Sequence, residues 1–117
     1  METEKTLALF QIISGQKSAE YLPLVELSMN EVLKMLKEKA DETDARLCYL
    51  SAAVANFRYV EIDCAREKQM LAVGGSIGVN GGGANRYLAA KNLVDSYRVI
   101  CRDLIRDEEF IFFGTRG

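Results

Sequence analysis

The sequence contains no histidine and no tryptophan, a single proline (Pro23) and three cysteines among its 117 residues. Without histidine it lacks the side chain most often used as general base and as metal ligand, which argues against most hydrolytic and zinc chemistry. Cys48 and Cys64 stand 16 residues apart in one expected helix, roughly 24 Å along its axis and beyond the reach of a disulfide. With Cys101 they read as reduced thiols serving as small core residues. No apolar run approaches the roughly 18 residues of a membrane span. The apolar stretch Leu7 to Ile13 is too short and wrongly flanked for a signal peptide, so a cytoplasmic protein is expected. Charge of one sign is also missing: fifteen basic against seventeen acidic residues leave a net charge of -2. Any contact with DNA must therefore be local.

At 49% hydrophobic and 27% charged, the composition is that of one globular domain, long enough to bury a core without disulfide or metal staples. Four segments have helical periodicity. From Thr3 to Ser14, Leu7, Phe10 and Ile13 recur at helical spacing before a stop at Gly15. A second segment, capped by Ser18 and carrying Pro23 in its first turns, runs to about Ala40 with Leu24, Leu27, Val32, Leu33, Met35 and Leu36 as its stripe. A break at Pro23 is the alternative. The third, capped by Thr43 or Asp44, runs from Ala45 to about Gln69 and is apolar nearly all round, a pattern that suggests cover by a second subunit as well as by its own. The fourth spans about Asn85 to Ile105. Between Leu71 and Ala84 lie six glycines and no charge.

The expected fold is all-α. One domain, residues 1–117, holds three to four helices, with a glycine-rich loop or short β-arm between the last two long ones and a short extended C-terminal tail. Residues 1–17 are expected to be frayed or mobile, and 71–84 to form a flexible arm around Gly75, Ile77, Val79 and Gly82. The apolar Phe110, Phe112 and Phe113 of the tail have no local strand to pair with and call for a docking surface.

No catalytic, cofactor or metal site emerges. The glycine-rich stretch lacks the Lys-Ser/Thr pair of a phosphate loop, and a dinucleotide pattern traced through Gly81 and Gly83 meets Arg86 where its third glycine belongs. The acidic clusters at 41–44 and 107–109 lack the alternation and glycine turn of a calcium loop. Arg98, Arg102 and Arg106 recur every four residues, as a basic stripe on the fourth helix. Intrahelical pairing with Asp95 and Asp103 on a solvated face is the plain explanation. Contact with a neighbouring subunit's carboxylates or with DNA phosphates is the other.

Tyr21-Leu22-Pro23-Leu24 leads a helix, and Asp44-Ala45-Arg46-Leu47 opens an alanine-rich one that runs to Ala53-Val54-Ala55-Asn56-Phe57-Arg58-Tyr59. A glycine-rich stretch holding Ser76-Ile77-Gly78-Val79, a second long helix and Leu104-Ile105-Arg106-Asp107-Glu108-Glu109-Phe110 follow. Across roughly Ala19 to Phe113 this order resembles the head-tail connector (head-completion or adaptor) proteins of tailed bacteriophages and prophages. The resemblance implies a structural virion-assembly protein, not an enzyme. It would form a homo-oligomeric ring beneath the portal, meet portal and tail-side proteins, and touch packaged double-stranded DNA non-specifically. It implies no cofactor, small-molecule substrate or membrane. Such a protein would be cytoplasmic during assembly and part of the virion afterwards. The alternative is a small helical interaction or regulatory module of a bacterial cell, which would be a closed dimer at all concentrations.

Overall fold

The structure is a computed structural model that describes the backbone of residues 1–74 and 82–106 and the side chains of 1–67 and 84–106. It contains helices α1 (Thr3–Ser14), α2 (Leu22–Leu33), α3 (Arg46–Gly74) and α4 (Gly82–Ile100), with a short 3-10 turn at Ala19–Tyr21. Among the described residues there are no strands, and the all-α expectation holds. The arm residues Gly75, Ile77 and Val79 and the tail residues Phe110, Phe112 and Phe113 lie outside the described residues. The helices nevertheless trim the expected 71–84 arm from both sides, because α3 continues through Gly74 and Gly82 is the first residue of α4.

Local chemistry sets most helix ends. Gly15 closes α1 in the left-handed region at φ 78°, donating its N–H to the Gln11 carbonyl, a conformation that costs a residue with a Cβ far more than glycine. Ser18 Oγ accepts the Glu20 N–H at 3.0 Å at the entry to the second helical segment, and Pro23 sits at the start of α2, where a missing N–H costs least. Asp44 opens α3 by accepting the Arg46 N–H at 2.9 Å.

Two helices stop earlier than their sequences suggest. Residues 34–39 are good helix formers, yet α2 ends at Leu33. The chain is captured there by a distant segment: the Lys37 N–H donates to the Leu104 carbonyl at 2.9 Å, the Arg106 N–H to the Met35 carbonyl at 2.8 Å, and Leu36 and Ile105 form an antiparallel bridge. The same capture ends α4 at Ile100 rather than Ile105, leaving Cys101 to Leu104 as turns. Tertiary pairing overrides helix propensity at both places.

Helix α3 is the axis of the core. Leu47, Leu50, Ala52, Ala53, Val54, Ala55 and Phe57 are fully buried, and Ser51 with them. The cover comes from α1, α2 and α4 of the same chain. The apolar circumference of α3 therefore does not require a second subunit. Nor is α1 a frayed segment. Its Phe10 is fully buried and packs with Tyr21 and Tyr59 at ring separations of 5.8 and 6.1 Å, while Thr6 turns its buried hydroxyl back to the Glu2 carbonyl at 2.8 Å.

Helices α3 and α4 form an antiparallel pair. Tyr49 stacks on Tyr97 at 5.8 Å near one end and Phe57 meets Tyr87 at 5.2 Å further along. At the far end Arg86 reaches Asp63 at 2.9 Å. No described helix is long and apolar enough to cross a membrane. None of the three cysteines is in a disulfide. Burial pushes the Cys101 thiol up to about 11, as expected of a core residue rather than a reactive one.

Candidate functional site: a cationic cleft on α4

The arginine stripe expected on one helix is assembled differently. Arg98 lies in α4, half-buried, with Nη1 3.6 Å from Asp95 Oδ1. Arg102 belongs to the turns after α4 and is exposed, with no carboxylate among the described residues within ion-pair distance. Arg106 comes after the bridge, where its guanidinium donates to the Lys34 carbonyl. The three are not one helix face, yet the fold gathers them. They line an open cleft of about 370 Å³ with Lys91, Asp95, Val99 and Ile105.

Among the described residues that line the cleft are four cations and one carboxylate, Asp95, which also receives Lys91 Nζ at 3.1 Å. Val99 and the neighbouring Ile100 remain largely exposed, at 59% and 48%. A surface that joins guanidinium groups to uncovered aliphatic side chains suits carboxylates or phosphates carried by a macromolecule. Lys91 is the member that sequence reasoning missed. Its signal was the Lys91–Asp95 spacing of one helical turn, but only the folded chain shows that it shares a cleft with Arg106.

Asp103, expected to pair with the stripe, instead holds Arg46. Arg46 Nη1 lies 2.9 Å from Asp103 Oδ1 and donates to the Ile100 carbonyl at 3.0 Å, and Nη2 lies 3.0 Å from Asp44 Oδ2. One guanidinium therefore ties the start of α3 to the end of α4. Its hydrogen bonds hold the Asp44 and Asp103 carboxyls below the usual 3.8 and raise the arginine itself. Because the folded carboxyls are depressed, their contribution is present above 3.8 and disappears as pH falls through the folded values. An Arg46→Met variant is expected to melt below the wild type at neutral pH, with the difference shrinking as the pH is lowered through this acid range. A gap in melting temperature that stays constant from neutral pH to strong acid would contradict the clamp.

Elsewhere charge is used for packing. Arg58 bridges Glu31 at 3.0 Å and Glu61 at 3.1 Å, and Arg86 bridges Asp63 and, at 3.5 Å, Glu67. Among the described residues no three Cys, Asp or Glu side chains converge as metal ligands would. Comparison of the chain with protein-family models, with curated proteins and with solved structures finds no match in any of the three.

Proposed function

We propose that this chain is a structural assembly subunit of the head-tail connector type, one that joins identical neighbours into a ring and uses the α4 cleft as part of the subunit contact. The single observation that supports this reading is the gathering of Arg98, Arg102, Arg106 and Lys91 in one open cleft beside exposed Val99 and Ile100. Cations beside uncovered aliphatic side chains fit a protein surface that brings carboxylates and apolar area together. The chain's slight acidic excess means that a neighbouring copy has carboxylates to offer. The resemblance in residue order supplies the rest of the reading: portal and tail-side neighbours, no cofactor and no catalysis.

Changing Arg98 and Arg102 together to glutamine is the test. The double variant is expected to fold with nearly unchanged stability, since Arg102 is exposed and the Arg98–Asp95 pair is half-exposed, but to weaken ring formation by about 2 kcal/mol. Circular dichroism checks the fold, and sedimentation at graded concentrations checks assembly. Loss of salt-dependent DNA retention with ring formation intact would move the cleft to the DNA channel. Normal assembly together with normal DNA retention would return the arginines to a solvated face and overturn the proposal.

A further inference from the structure

We infer that the outer face of α4, with the basic residues beside its end, receives the α1 side of a second copy of this chain in a head-to-tail contact. The inference rests on the assembly reading and names the surface that meets α4.

Placement is the first argument. Ser51 donates to Met1 Sδ at 3.2 Å and Tyr59 packs on Phe10, so α1 runs parallel to α3 along one flank. Tyr49 and Phe57 meet Tyr97 and Tyr87, so α4 runs antiparallel along another. The two helices share no extensive contact with each other. The Met1 nitrogen donates to the Glu42 carbonyl, and Arg46 holds the Ile100 carbonyl and Asp103, so the start of α1 and the end of α4 are level with the start of α3. A copy rotated about an axis along the helices therefore brings its α1 against this α4 with those same ends level. Such a contact repeats from copy to copy, as a ring requires.

Charge complementarity selects the occupant. The bridge between Leu36 and Ile105 brings Lys34 and Lys37 to Arg106, with Arg102 in the turns just before. All four side chains are exposed, and none has a carboxylate among the described residues within ion-pair distance. The acids nearby are Glu38 and Asp103, and Asp103 is held by Arg46. At the same level on the α1 side, Glu2, Glu4 and Glu42 are exposed and equally without an ion pair, with Lys5 as the cation among them. One flank is thus basic where the other is acidic. The apolar groups match along the same line. No exposed position of α4 from Ala84 to Ile100 is charged, as at the core of an interface, and Leu88 and Val99 stand on one row, 55% and 59% exposed. On α1, Ile12 is 77% exposed and lies eight residues, roughly 12 Å, beyond Glu4. A neighbour's Glu4 set against Arg102 therefore places its Ile12 between Val99 and Leu88.

Full-length variants test this. Glu4→Lys/Glu42→Lys reverses the α1 side, Lys37→Glu/Arg102→Glu reverses the α4 side, and a third variant carries all four changes. The altered side chains are exposed, so each variant is expected to keep the wild-type melting profile. Either reversal alone should weaken association about tenfold or more, and the fourfold variant, whose two sides again carry opposite charge, should recover most of the loss. Ile12→Ser changes no charge and should also weaken association. Mass photometry or sedimentation velocity reads the species directly. If the wild type assembles and both reversals assemble equally well, the inference is overturned and the assembly reading stands. If both reversals are defective and the fourfold variant is no better, the pairing of these two sides is overturned. An Ile12→Ser protein that assembles as the wild type does overturns the placement of α1 on α4. A wild type that remains monomeric at every concentration overturns the inference and the assembly reading together.

Discussion

Replacing Phe57 by alanine is expected to lower the unfolding free energy by about 3 to 5 kcal/mol, the range for emptying a well-packed aromatic site. Phe57 has no exposed surface, lies among the small side chains of α3 and meets the Tyr87 ring of α4 at 5.2 Å. Its neighbours Ala53 and Val54 are themselves fully buried on a continuous helix, so collapse into the vacated space is limited and the cavity term persists. Denaturant unfolding monitored by circular dichroism measures the loss. A value below about 1 kcal/mol would mean that the site relaxes freely, which is incompatible with α3 as the rigid axis of the core.

The second large effect is expected at Arg58. Its guanidinium joins Glu31 of α2 to Glu61 of α3, and it is the most buried basic side chain among the ion pairs of the described residues, at 19% exposure. Burial alone would lower its pKa, but the hydrogen bonds and charges of Glu31 and Glu61 outweigh that and hold it above the ordinary arginine value. Arg58→Ala removes the aliphatic stem from the core edge and leaves the Glu31 carboxylate without its cation. Glu31 Oε1 is already buried with no hydrogen-bond partner among the described residues. Fully buried pairs broken in this way cost about 3 to 5 kcal/mol, and the partial exposure here places the expected loss at about 3. Adding Glu31→Gln removes the stranded charge, so the double variant should be more stable than Arg58→Ala alone. A double variant that is less stable would show that Glu31 has another favourable role.

Periodicity made most of the helices legible, and it failed where distant segments met. The stripe of α3 and the stop at Gly15 were readable because each depends on residues close in sequence. The early end of α2 was not, because Lys34 to Lys39 are sound helix formers until residues 104–106 take up the backbone groups of Met35 and Lys37. For the same reason the four-residue spacing of Arg98, Arg102 and Arg106 indicated a helix face that the chain does not make. The three are nonetheless close in space, because the turns after α4 return Arg106 to the cleft. The apolar circumference of α3 marks it as buried, but periodicity alone does not say that its cover comes from α1, α2 and α4 of the same chain. The missing cover is α1, whose short, weakly capped sequence gives little hint that Phe10 will be fully enclosed. Arg46 escaped notice because its worth as a clamp depends on Asp103 and Ile100, more than fifty residues away.

The proposed ring of identical copies is open to direct observation. Negative-stain microscopy of the wild-type protein at increasing concentration, with mass photometry of the same samples, tests it most directly. Monomers are expected when dilute and closed rings of uniform diameter when concentrated, a shift that high salt should reverse if guanidinium–carboxylate contacts contribute to the joint. A single two-fold dimer at every concentration, insensitive to salt, would contradict it.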